Sequence, residues 1–211
     1  MFKILQKIKY SKPESSIKRV TLQSLTSYIG TDQALRICAP AAFYMLLKKY
    51  GYINKTEREY FCSVLEKGDL LTDTSNWSRP ALSRWLRRRY GAQIVSWQLN
   101  PTKPTDITLM RAAGYIESER EEEFFKNCVQ SKSVQEIVGL GYPVIVTMQP
   151  GFGTPENQSI HAVVITEWTD KIVTIIDSDA RNSITQFEPY YVEKYLSRDG
   201  AGSVVLPLSR Y

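Results

Sequence analysis

The chain has 211 residues, of which 43% are hydrophobic and 11% aromatic, a length and composition suited to one globular domain with a sizeable core. No apolar run approaches the roughly 20 residues that a membrane-spanning helix needs, and the start, Met1-Phe2-Lys3-Ile4-Leu5-Gln6-Lys7, lacks a sustained apolar signal region, so a cytoplasmic protein without a membrane span is expected. A formal net charge of +5 suggests attraction to nucleic acid or anionic lipid, so the placement of the charge has to be examined before either partner is assigned.

In chain order, residues 1–30 mix lysines with short apolar runs and read as an N-terminal arm leading into a folded part over 31–211. A helix is predicted from Cys38 to Tyr50. The run Cys38-Ala39-Pro40-Ala41-Ala42-Phe43-Tyr44-Met45-Leu46-Leu47 is apolar nearly all round, Lys48 and Lys49 suit a helix C-terminus, and Gly51 supplies a stop. Such a helix belongs inside a domain. A second is expected from about Lys55 to Glu66. A third follows Ser78, an N-cap type of residue, with Pro80 in its first turn and Leu82, Trp85 and Leu86 as an inward stripe. That stripe turns Arg84, Arg87, Arg88 and Arg89 to the outer face, with the cluster Glu117, Glu119, Glu121, Glu122 and Glu123 as internal counter-charge. A solvated face accounts for the basic run, and a nucleic-acid partner is not expected.

A strand is predicted near Ile94-Val95-Ser96-Trp97-Gln98. Ser118 with Glu121 and Ser133 with Glu136 have capping-box spacing, which predicts helices from about Glu119 to Val129 and from Val134 to Leu140. Strands follow from Pro143 to Met148, Ile160 to Glu167, Lys171 to Asp177 and Ser203 to Leu206. Helices early and strands late give an α+β class rather than alternating α/β.

Cys38, Cys62 and Cys128 are too few and too widely spaced for a zinc site or a disulfide framework, and no cofactor or metal is expected. Cys38 differs from the other two by its position. A thiol at the start of a buried helix meets the positive end of the dipole and free N–H groups, which favour the nucleophilic thiolate. Cys62, beside Phe61, and Cys128, after Phe124 and Phe125, read as small buried hydrophobes.

His161 is the only histidine, so any imidazole-dependent chemistry depends on it. The turn Trp168-Thr169-Asp170-Lys171 joins its strand to the next. A turn centred on Thr169 sets His161 opposite Asp177, and one centred on Asp170 sets it opposite Asp179. Asp177 is preferred because it directly ends the run Ile172-Val173-Thr174-Ile175-Ile176. A carboxylate on one ring nitrogen fixes the tautomer while the other nitrogen takes the thiol proton, a nucleophile, base and orienter in series. The loop Pro150-Gly151-Phe152-Gly153-Thr154-Pro155-Glu156-Asn157-Gln158, directly before this strand, is expected to border a substrate cleft.

Gln33, the helix opening Cys38-Ala39-Pro40-Ala41-Ala42, the segment Gly141-Tyr142-Pro143-Val144-Ile145-Val146, and His161-Ala162-Val163-Val164 with Ile175-Ile176-Asp177 together resemble the bacteriocin-processing double-glycine leader peptidases and their stand-alone relatives, within the papain-like cysteine peptidases. The likeness covers roughly residues 30–180. It implies a papain-like fold, with a buried nucleophile helix packed on a C-terminal antiparallel sheet, and a peptide or protein substrate cleaved through an acyl-enzyme. It also implies roles: Cys38 as nucleophile, His161 as base and then acid, Asp177 as orienter, and Gln33 with the Cys38 backbone N–H as oxyanion hole.

The family usually has glycine where Ala39 stands, one more residue between the glutamine and the cysteine, and proline where Ser178 stands; the last difference leaves Asp179 open as orienter. Its best-known members are fused to a membrane transporter, so the leader-peptide substrate is not carried over. Acyltransferases with the same triad order place cysteine and histidine much closer than the 123 residues found here. A further alternative is a binding module that uses the arginine helix.

Overall fold

The computed structural model describes residues 37–67, 79–97, 107–153, 160–178, 185–196 and 202–208, with Ile17, Val20 and Ser27. Gln33, Ser78 and Asp179, each named above, lie outside these residues, as does 154–159 of the loop before His161.

Helix α1 runs Cys38–Lys49 and buries every side chain from Pro40 to Leu47, as its nearly all-apolar sequence requires. Gly51 ends it with φ of 78°, the left-handed turn that glycine adopts without a Cβ penalty. Helix α2, Glu57–Leu65, starts from a capping box in which Thr56 and Glu59 satisfy each other's backbone N–H groups. Helix α3, Arg79–Tyr90, lays Leu82 and Leu86 into the same core. A short helix α4, Ile107–Ala112, follows strand β1 and was not foreseen in the sequence. Ser118 and Ser133 form the two predicted capping boxes, at the starts of α5, Glu119–Phe124, and α6, Val134–Gly139. The predicted helix to Val129 changes character at its end: Phe125–Val129 is a π-helical turn. A last helix, α7, Pro189–Tyr195, was also unforeseen, although Pro189 at its first position is a start signal.

Six strands form one antiparallel sheet: β1 Ile94–Trp97, β2 Val144–Met148, β3 His161–Trp168, β4 Val173–Ile176, β5 Gln186–Phe187 and β6 Gly202–Val205, in the order β1-β6-β2-β3-β4-β5. Gly202 is needed where β6 passes β1, because a Cβ there would overlap the Trp97 ring. Alternate residues feed two cores. Ile145, Val164 and Val205 pack with α1, α2 and α3, while Val144, Val146, Val163 and Ile165 pack with α5, α6 and α7. Covered on both faces, the strands read as continuous apolar runs. The class is therefore α+β with a papain-like arrangement, helices against an antiparallel sheet, and Val20 is fully buried in the first core.

Two expectations change. The arginines of α3 do not all face outward: Arg87 is only 8% exposed. Its guanidinium donates to Glu121, 3.0 Å from Nε, and to the carbonyls of Gly114 and Tyr115 at 2.9 and 2.8 Å and of Ile94. A buried guanidinium needs that many acceptors, and they come from Ile94 of β1, Gly114 and Tyr115 after α4, and Glu121 of α5. Cys62 and Cys128 are half-buried rather than packed away.

Candidate active site

Three chain ends converge on one end of the sheet. Cys38 is the first residue of α1, His161 the first of β3, and Asp177 directly follows the last of β4. Helix α1 packs on β3, which carries its start toward the histidine.

His161 and Asp177 are 8% and 3% exposed, and the imidazole Nε2 is hydrogen-bonded to Asp177 Oδ1. The contact is the one preferred in the sequence, but the register next to it is that of the other turn considered there, the one centred on Asp170. Strand β3 pairs Val164 with Ile176 and Ile165 with Ile175, then shifts across a bulge to pair Glu167 with Thr174 and Trp168 with Val173. The bulge adds a residue to β3. The turn also begins later than Trp168: Thr169 Oγ1 accepts from the Lys171 and Ile172 N–H groups at 3.3 and 3.0 Å, and the Thr169 N–H donates to the Ile172 carbonyl. Carried outward, this register sets Asp177 against Val163 and one diagonal step from His161, which a carboxylate can span.

With Nε2 engaged, Nδ1 remains for the thiol. The Cys38 thiol lies below its ordinary pKa. Burial opposes the charged form and is the largest single influence, but the hydrogen bond and charge of His161, with the Ala162 and Ala39 backbone N–H groups, together outweigh it. Burial likewise pushes the imidazole down, yet the hydrogen bonds from Asp177 and Cys38 and their charges raise it to about 10. The two shifts are one effect seen from both partners: a thiolate and an imidazolium stabilise each other where water is scarce. Cys38 itself is half-buried, so a substrate can reach it.

The Ala162 N–H against the sulfur was missed in the sequence, where a backbone donor leaves no signal. Of the loop before His161, Phe152 is buried among Phe187, Tyr191 and Tyr195, and the Gly153 N–H donates to the Tyr191 hydroxyl at 3.1 Å. That part of the loop packs into the second core. Among the described residues no group of three or more histidine, cysteine or acidic side chains could hold a metal, and no helix is long and apolar enough to cross a membrane.

The fold, with a thiol, an imidazole and a carboxylate gathered at the start of the central helix, defines the papain-like class. The sequence matches the Peptidase_C39 like family over residues 18–198, and the chain belongs to that family. No curated protein matches it. Among solved structures it is similar to a chain from Bacillus anthracis described as a C39-like peptidase, at 15% identity and a TM-score of 0.45 over 81% of this chain and 88% of that one.

Proposed function

We propose that the chain is a cysteine peptidase that hydrolyses a peptide or isopeptide bond, with Cys38, His161 and Asp177 as its triad. The observation that carries this reading is the two-sided engagement of the only histidine, with Asp177 on Nε2 and the thiol left to Nδ1.

The thiolate of Cys38 attacks the substrate carbonyl carbon, and the carbonyl π electrons move to oxygen as the tetrahedral intermediate forms. When the C–N bond breaks, His161 gives its Nδ1 proton to the departing nitrogen, leaving an amine and a thioester on Cys38. Neutral His161 then takes a proton from water, the hydroxide adds to the thioester carbonyl, and the sulfur leaves as thiolate, restoring the ion pair with an acid as second product. Asp177 holds the ring through its bond to Nε2.

Gln33, together with the Cys38 backbone N–H, is assigned to the oxyanion hole on the family resemblance. The catalytic domain is taken as 31–211 with 1–30 as its arm. A cytoplasmic location suits the three free thiols.

A peptide library read by mass spectrometry tests the reading: cleavage by the wild type, absent in Cys38→Ala, is the expected result. Release of product from Cys38→Ala at the wild-type rate would overturn it. The binding-module alternative loses ground because Arg87 is committed to Glu121 inside the fold.

A further inference from the structure

The first turn of α1 has no side-chain cap. Ile37 stands at the N-cap without a side-chain hydrogen bond, and the turn carries no acidic residue. Helices α2, α5 and α6 each begin with a full capping box. Capping would spend the N–H groups that the chemistry needs, since the Ala39 N–H lies against the Cys38 sulfur. An uncapped turn frays unless something else holds it.

We propose that Tyr60 is the positioning residue of the nucleophile: its phenol O–H, donated to the Pro40 carbonyl at 3.2 Å, holds the first turn of α1 from its carbonyl side and so fixes Cys38 while leaving every N–H of that turn available. The inference rests on the assignment of Cys38 as nucleophile. Pro40 is two residues beyond Cys38 in the same turn, and a helical carbonyl has a second lone pair to accept such a bond.

Tyr60 is built to hold still. It is fully buried, and its ring lies 4.9 Å from Tyr44, 5.0 Å from Phe61, 6.2 Å from Tyr90 and 6.4 Å from Trp85, centroid to centroid. The helix that carries it is fixed at its start by the Thr56 and Glu59 box. Burial, with Tyr90 and Tyr44 adding, pushes the phenol well above its ordinary pKa, so the O–H keeps its proton wherever the thiolate operates.

Tyr60→Phe removes the O–H and keeps the ring. In the full chain, iodoacetamide alkylation of Cys38 followed by mass spectrometry across pH is expected to show the thiol titrating higher, with a rate near neutral pH lower by about twofold to tenfold, the span of one hydrogen bond's net contribution. Tyr44→Phe is the control. It loses a phenol bond from the same helix, to the Lys55 carbonyl at 3.3 Å, but further along from Cys38, and should leave the Cys38 profile unchanged while costing similar stability. A merely structural Tyr60 would lower the melting temperature and not move the titration.

Wild-type Cys38 that reacts fast while Tyr60→Phe gives a superimposable profile overturns this inference alone, as does an equal shift in Tyr44→Phe. If wild-type Cys38 reacts no faster than Cys62 and Cys128, the nucleophile assignment falls and this inference falls with it.

Discussion

Glu121 and Asp177 are both buried carboxylates bonded to a nitrogen base, and they differ in what their partners have left over. Glu121 accepts from Arg87 Nε at 3.0 Å, from the Ile94 and Glu117 backbone N–H groups at 2.7 Å each and from that of Ser118 at 3.3 Å, while Arg87 spends its remaining donors on three carbonyls. Both charged groups are bonded inside the fold, and the cluster ties α3, β1 and α5 together. Asp177 bonds one nitrogen of His161, and the other nitrogen meets a thiol that does titrate. The same ingredients give one pair enclosed by its own hydrogen bonds and one pair that continues to a thiol.

Breaking the second pair should have the largest effect on turnover. His161→Ala and Cys38→Ala are each expected to lower kcat/KM by at least about 10⁴-fold, with the chain still folded by circular dichroism. No other histidine can substitute. Asp177→Asn should cost about 10²- to 10⁴-fold, because the amide no longer supports the imidazolium. Asp179→Asn is expected to stay within about twofold; if it costs more than Asp177→Asn, the orienter has been assigned to the wrong aspartate.

The first pair should break in the opposite currency. Glu121→Gln or Arg87→Met leaves an uncompensated buried charge and is expected to cost about 3–5 kcal/mol in urea unfolding. Cys38 alkylation in the folded fraction should match the wild type. A loss below about 1 kcal/mol, or slower alkylation without unfolding, would mean that the two pairs are not separate devices.

The pH dependence sharpens the contrast further. Because the thiol is lowered, rising pH forms the thiolate early; because the imidazole is raised to about 10, the imidazolium survives until well above neutrality. The ion pair therefore occupies the window between the two titrations, which belong to the pair jointly. Peptide turnover should rise along the acid limb and fall as pH passes about 10, when the proton for the leaving amine is lost. Alkylation of Cys38 needs only thiolate and should not fall there. Burial depresses the imidazole and the Asp177 bond is the largest influence raising it, so Asp177→Asn should move the alkaline limb to lower pH. An alkaline limb that stays put would remove Asp177 from the orienting role.

Much of this site was legible in the sequence because the cues were local. Cys38 ahead of Pro40 and an all-apolar run announces a buried helix with a thiol at its start, and Ser118 and Ser133 with glutamates three residues on announce helix starts. The cues failed where backbone geometry decided. The bulge in β3 and the Thr169 turn shifted the hairpin register, and His161 still reached Asp177 only because a diagonal contact is available. Helix α7 is rich in tyrosine, a β-favouring residue, and packing of Val192 and the ring stack of Tyr191 on Phe187 override that preference. The burial of Arg87 was hidden because a stripe argument places a side chain by angle and cannot see that a long one will curl inward to the carbonyls of Ile94, Gly114 and Tyr115.

Arg84 supplies the smallest and most discriminating test, since it shares a helix and a partner with Arg87. Both approach Glu117 Oε1, at 3.5 Å from Arg84 and 3.6 Å from Arg87, but the Arg84 side chain is 42% exposed against 7% for Arg87. Water screens the exposed pair and the long side chain loses freedom to make it, so Arg84→Ala is expected to cost about 0–1 kcal/mol. The packing of its guanidinium over Gly114, where a Cβ would collide with it, adds little because that end of the side chain can move. Raising salt should erase most of the Arg84 effect and little of the Arg87 effect. If Arg84→Ala costs as much as Arg87→Met, proximity to the glutamates rather than burial sets the energetics of this cluster, and the distinction between a sealed pair and a working one would have to be drawn on other grounds.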